Sequence, residues 1–117
     1  MIRKFFVYCR QISHRKAEMI TKEDILRFLE NKKEAFSTEY QVTKLGLFGS
    51  FAKGEASADS DIDIIIEFRP NTDSLHEKKN QIKRFIKEQF NREVDLCREK
   101  YIKPYFKSQI LKSAIYV

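Results

Sequence analysis

Glycine and proline are scarce in this chain, with three and two copies in 117 residues, and cysteine occurs only twice. Cys9 and Cys97 lie far apart, and His14 and His76 show no ligand spacing, which excludes a disulfide framework and a zinc site. No apolar stretch approaches the roughly 20 residues that a membrane-crossing helix needs, so a cytoplasmic protein without membrane contact is expected. The apolar run Phe5 to Cys9 is too short for a secretory signal, and Arg10 ends it. There is no internal repeat and no low-complexity tract. At 42% hydrophobic content, a chain of this length can bury one core but not two.

Charge is unevenly spread. The formal balance is 23 basic against 17 acidic residues, net +6, but residues 1–18 hold Arg3, Lys4, Arg10, Arg15 and Lys16 against Glu18 alone. The other 99 residues therefore carry only +2, and the basic pI is weak evidence for direct nucleic-acid binding by the folded part. Residues 1–18 read as a basic extension, disordered or acting as an arm, and 19–117 as one domain. Met19-Ile20-Thr21 is a natural beginning for it.

The little glycine present is concentrated, with Gly46, Gly49 and Gly54 falling within nine residues. Leu45, Leu47 and Phe48 approach this stretch as a strand, and Phe51 and Ala52 leave it, suggesting strand, glycine turn and helical start. Gly49 permits backbone angles closed to other residues and a close ligand approach. Ser50 then falls at a helix start, where free N–H groups favour phosphate oxygens.

Downstream, Asp61, Asp63, Ile65 and Glu67 alternate with Ile62, Ile64, Ile66 and Phe68, so a strand places both aspartates on one face and core on the other. Carboxylates two apart on a strand stand roughly 6 to 7 Å from each other and repel by about 3 kcal/mol at an effective dielectric near 20. Such a pair calls for a shared cation or proton. Mg²⁺, which favours one or two carboxylates plus substrate phosphates, answers that need. Glu93-Val94-Asp95-Leu96-Cys97 alternates in the same way, and Asp95 completes a two-metal site if its strand lies beside the first. The sequence does not establish that adjacency.

Other segments frame these. Thr21 caps a helix with Ile25, Leu26, Phe28 and Leu29 on its apolar stripe, fading near Phe36. Pro70 stops the aspartate strand. A helix from Asp73 or Ser74 to about Phe90 carries Leu75, Ile82, Phe85, Ile86 and Phe90 toward the core. Pro104 opens a last helix with Tyr105, Phe106, Ile110 and Leu111 on its buried side. The fold class is α/β or α+β, a small mixed sheet flanked by helices.

Gly49-Ser50, ten intervening residues and then Asp61-Ile62-Asp63 resembles the signature of the DNA polymerase β superfamily of nucleotidyltransferases. The wording GSFAKGEASADSDID and the ending VDLCREKYIKPYFKSQILKSAIYV resemble its minimal nucleotidyltransferase (MNT) family, over roughly residues 20 to 117. The resemblance implies a polymerase-β-like fold in which Gly49 and Ser50 hold the nucleotide. It also implies that Asp61, Asp63 and Asp95 bind Mg²⁺, two ions in all. Lys53 stands where the family often has arginine, and Ser60 is near enough to Asp61 to touch phosphate. ATP as donor, and a tyrosine of a cognate HEPN-type RNase toxin as acceptor, are what the likeness implies, with the chain as antitoxin in a homo- or hetero-oligomer. The alternatives are transfer to a small molecule or an RNA end, and neutralisation of a partner by binding alone.

Overall fold

In the computed structural model, which describes residues 20–117, the chain opens with α1 (Lys22–Tyr40). Thr21 starts it with a capping box: the Asp24 N–H donates to the Thr21 hydroxyl at 3.2 Å, and the Thr21 N–H donates to the Asp24 carboxylate at 3.0 Å. The helix runs past the expected end at Phe36, because Phe36 itself is buried and keeps that turn against the core. It closes at Gln41, whose left-handed backbone (φ 61°) lets its N–H reach the Phe36 and Ser37 carbonyls.

Four strands follow, interleaved with helices: β1 (Val42–Phe48), α2 (Gly49–Lys53), β2 (Ile62–Phe68), α3 (Leu75–Phe90), β3 (Val94–Arg98), α4 (Pro104–Ser113) and β4 (Ile115–Tyr116), with a single 3₁₀ turn at Glu99–Tyr101. The sheet order is β3-β2-β1-β4. β1 runs antiparallel to β2 and β4, while β2 and β3 are parallel. A parallel pair needs a crossover, and α3 supplies it. This is the expected mixed sheet with flanking helices.

Ile62, Ile64, Ile66 and Phe68 of β2 share the main core with Leu45 and Leu47 of β1, Val94 and Leu96 of β3, Phe36 of α1, and Ile82 and Ile86 of α3. Ile65, on the same side of β2 as the aspartates, is fully buried as well. The expectation of one core face and one open face therefore holds only at the ends of this central strand.

Two packing expectations are corrected. Phe85 is not core: it is 40% exposed and caps the edge of the cluster, edge-to-face with Phe28 and Phe36 and with the Lys32 ammonium 5.0 Å from its ring. Phe90, edge-to-face with Phe28 at 5.3 Å, is half-buried. In α4, Tyr105 is 85% and Phe106 47% exposed, and no residue of the helix is fully buried. Pro104 does open α4 as its first helical residue, but this short helix lies against β1 and α2 and leaves its aromatic side in water.

β4 was not foreseen. Its Ile115 pairs with Leu47 and its Tyr116 with Gly46, and the Val117 N–H donates to the Leu45 carbonyl at 2.9 Å. Gly46 belongs to this contact and not to the turn: a Cβ there would come within 2.9 Å of the Ile115 carbonyl oxygen and 3.0 Å of the Tyr116 ring. The basic extension read at residues 1–18, with Cys9 and His14, lies outside the described residues. Among the described residues no helix is long and apolar enough to cross a membrane.

Candidate active site

The site is assembled at one end of β2. In the antiparallel ladder Phe48 stands opposite Asp63, so Gly49, the next residue, turns beside that aspartate. Its φ of +76° is a left-handed conformation, and a Cβ built on it would collide with the Asp63 carboxylate. Gly49 is thus needed for both its angles and its lack of volume. Ser50 follows in the first turn of the five-residue α2, and Gly54 closes that helix with its N–H on the Phe51 and Ser50 carbonyls.

On the other side, the parallel ladder sets Asp63 directly against Asp95. This is the adjacency that the sequence left open, and it exists because α3 returns the chain to the free edge of β2. Asp61 sits one residue before β2 and is exposed, Asp63 is half-buried, and Asp95 is exposed. Burial first, then the negative charges of Asp95 and Asp61, push the Asp63 carboxyl from its ordinary 3.8 up to about 6. None of the three makes an ion pair among the described residues.

Among the described residues no three His, Cys, Asp or Glu side chains converge closely enough to grip an ion by themselves. The three aspartates form an open acidic cluster. An all-oxygen, uncompensated donor set of this kind fits a hard cation whose remaining ligands are waters or substrate phosphates, which is the habit of Mg²⁺.

Of the remaining expected contacts, Lys53 is exposed at the end of α2. The Ser60 hydroxyl accepts the Ser57 N–H at 2.8 Å, which fastens the loop leading to Asp61. Sequence reasoning missed Arg92. Its guanidinium donates from Nη1 to the Ser57 and Ser60 carbonyls, each at 3.0 Å, and lies 5.3 Å from the centre of the Phe51 ring. It therefore ties the entry to β3, the Ser57–Ser60 loop and the turn helix α2 together. A single arginine before a short strand carries no periodic signal. Only its position next to Glu93-Val94-Asp95 could have drawn attention to it.

The opposite end of β2 is also ionic but closed. The Glu67 carboxylate accepts from Arg98 Nη2 at 2.9 Å and Nε at 3.1 Å, from the Lys100 N–H at 2.9 Å and from the Phe68 N–H at 3.2 Å. Burial alone would raise its pKa, but the Lys100 N–H, Arg98 and the Phe68 N–H together hold it below the ordinary range. Glu99 beside it accepts from Lys44 at 3.3 Å and from the Tyr116 hydroxyl at 3.0 Å. Burial, then Glu99, push that hydroxyl up to about 12.

These features have relatives. A nucleotidyltransferase domain model matches residues 29–117. A Methanocaldococcus jannaschii protein, named as a candidate protein adenylyltransferase, is 34% identical over 85% of this chain and its own full length. A solved structure described as a candidate minimal nucleotidyltransferase superposes with a TM-score of 0.67 at 25% identity, over 88% of this chain and 97% of that one. A toxin–antitoxin crystal structure with AMP-PNP shares the fold with a TM-score of 0.58 at 18% identity, over 83% of this chain and 72% of that one. With a domain match spanning most of its length and a relative 34% identical over that protein's full length, the chain belongs to the nucleotidyltransferase domain family, in its minimal nucleotidyltransferase branch.

Proposed function

We propose that this nucleotidyltransferase moves AMP from ATP to a hydroxyl of a partner protein, most simply a tyrosine of a HEPN-type toxin that it thereby silences. The observation that carries the reading is the register of β2: the same residue, Asp63, faces the Gly49 turn on one side and Asp95 on the other. Donor phosphates and attacking group can then meet at one carboxylate cluster. The protein acceptor is suggested by the name of the Methanocaldococcus relative, and the toxin by the MNT likeness and the AMP-PNP-bound toxin–antitoxin neighbour.

In this mechanism the turn at Gly49-Ser50 would offer backbone N–H groups and a hydroxyl to the triphosphate, and Lys53 and Ser60 would add a charge and a donor at its edge. Asp61, Asp63 and Asp95 would hold Mg²⁺, which when bound neutralises phosphate charge and makes the acceptor hydroxyl easier to deprotonate. Arg92 keeps the Ser57–Ser60 loop, and so Asp61, in place. The acceptor oxygen bonds to the α-phosphorus as the bond between that phosphorus and the α–β bridging oxygen breaks. Pyrophosphate leaves, and the hydroxyl proton passes to Asp95 or to solvent. Positioning and charge neutralisation supply most of the rate.

Incubation with α-labelled ATP, Mg²⁺ and the protein encoded beside this one tests the reading. The partner should gain the mass of one or more adenylyl groups on tyrosine, and chelation should prevent it. A tight but unmodified complex, still neutralised by the Asp63→Asn variant, would assign the chain to binding alone.

A further inference from the structure

A cleft of about 540 Å³ opens beside Asp95 and Phe48, the residue that leads into the Gly49 turn, with Lys79, Tyr101, Lys103 and Phe106 among its other walls. It does not resemble a packing defect. Tyr101 is 68% exposed and Phe106 is also exposed, with Tyr105 beside it at 4.8 Å, so folding leaves an aromatic patch in water next to the acidic cluster. Such patches mark interaction surfaces, and exposed tyrosine and phenylalanine are the usual anchors.

Beyond Asp95 its charged walls are basic. Lys79 and Lys103 line the cleft, and Lys100 and Lys107 line a neighbouring hollow that shares Arg98 with it. None of these four lysines makes an ion pair among the described residues. Arg98 is taken by Glu67, and Asp95 is the one acidic residue lining the cleft. Glu67 and Glu99 are thus spent on Arg98, Lys44 and Tyr116, while Lys79 and Lys103 stand unpaired among the described residues beside the aromatic side chains, with Asp95 at the edge toward the acidic cluster.

We infer that this cleft docks the acceptor: an acidic segment of a partner protein, with an apolar or aromatic side chain set against Tyr101 and Phe106 and carboxylates on Lys79 and Lys103. Charge complementarity of this kind steers association and fixes register. The chain's own residues 1–18, with five basic residues and one acidic, have the wrong sign to fill it. Delivery of a hydroxyl toward Asp95 rests on the adenylyl-transfer reading above. The charge preference of the cleft does not.

The test uses the full chain and two fluorescein-labelled peptides of equal length. Both carry tyrosine and leucine, flanked by Glu and Asp in one and by Lys in the other. Anisotropy should show the acidic peptide binding about tenfold or more tighter, with the preference weakening at high salt. The double variant Lys79→Glu, Lys103→Glu should reverse the preference, and Phe106→Ser should weaken the acidic peptide about tenfold. Equal binding of both peptides, or no change in the double variant, overturns the proposal. A matching loss of Mg²⁺·ATP affinity in Phe106→Ser overturns it too, by giving the cleft to the nucleotide. Peptide binding that appears only after deletion of residues 1–18 makes that segment the occupant and also overturns it. Failure of the wild-type chain to bind Mg²⁺·ATP would instead sink adenylyl transfer, with the peptide preference still deciding the cleft.

Discussion

Asp63 and Glu67 sit four residues apart on one side of the same strand, yet their surroundings push their carboxyl groups in opposite directions. Glu67 has every partner it needs within the chain: two guanidinium nitrogens and two backbone N–H groups. Asp63 has two like charges and partial burial. A carboxylate satisfied internally locks strands together, whereas one held near other carboxylates stores unfavourable energy that only a proton or a cation relieves. The sheet is therefore stabilised at one end of β2 and left electrostatically incomplete at the other. The incomplete end is where the proposed chemistry is assigned.

Removing each charge separately should break the comparison most clearly. Asp63→Asn should lower α-label transfer by about a thousandfold or more, since the carboxylate cluster would hold the Mg²⁺ that neutralises phosphate charge. Its fold should survive. Near wild-type transfer from this variant would remove Asp63 from the site. Glu67→Gln should do the reverse, retaining transfer while losing about 2 to 3 kcal/mol of stability in denaturant titrations. The Arg98–Glu67 side chains are about 15% exposed, and the change leaves the guanidinium without its counter-charge. Equal stability losses in the two variants would mean that the two ends of β2 are not different in kind.

Arg92 sharpens the contrast from outside the strand. Arg92→Ala removes two carbonyl contacts and the stack on Phe51, so the loop before Asp61 should loosen. The expected result is a rise of about tenfold in KM for Mg²⁺·ATP with a stability loss near 1 kcal/mol. Arg92→Lys, which keeps the charge but loses the flat guanidinium against Phe51 and has a shorter reach, should recover only part of the KM. A stability loss without a kinetic change would reduce Arg92 to a structural tie.

How much of this was legible follows from what kind of signal each residue emits. Asp61 and Asp63 were readable because strand alternation and the Gly49-Ser50 spacing are local. Thr21 and Pro104 were readable for the same reason, since caps and first-turn prolines act within a few residues. The Asp63–Asp95 register was not, because it depends on α3 returning the chain to a particular edge of the sheet. Phe85, Tyr105 and Phe106 show why apolar spacing overstates burial: periodicity says which residues share a face, but not whether anything covers it. Gly46 was read with the turn because it is close in sequence, although its neighbour in space is Tyr116 of the two-residue β4, too short to announce itself.

The smallest expected effect is a pH profile in which the two carboxylates act in separate windows. Asp63 has a folded-state pKa of about 6, above its ordinary 3.8, so the folded protein holds the proton more tightly than the unfolded chain. Its contribution to stability is then fully present below pH 4 and is lost as pH rises through 6. Glu67 is lowered, so its contribution is present above its unfolded pKa of 4.5 and is lost only as pH falls through the still lower folded value. A shift the size of Asp63's corresponds to about 3 kcal/mol for a wholly buried group. Partial exposure and solvent screening reduce that to about 1 kcal/mol. Thermal melts in EDTA should therefore show Asp63→Asn more stable than wild type at pH 7.5 by about this amount, with the difference vanishing near pH 4. Mg²⁺ should add stability to the wild type above pH 6 and much less to Asp63→Asn, because the ion and the proton compete for the same carboxylate. Parallel profiles for wild type and variant would show that Asp63 is not strained in the free protein, and the electrostatic difference between the two ends of β2 would fall with it.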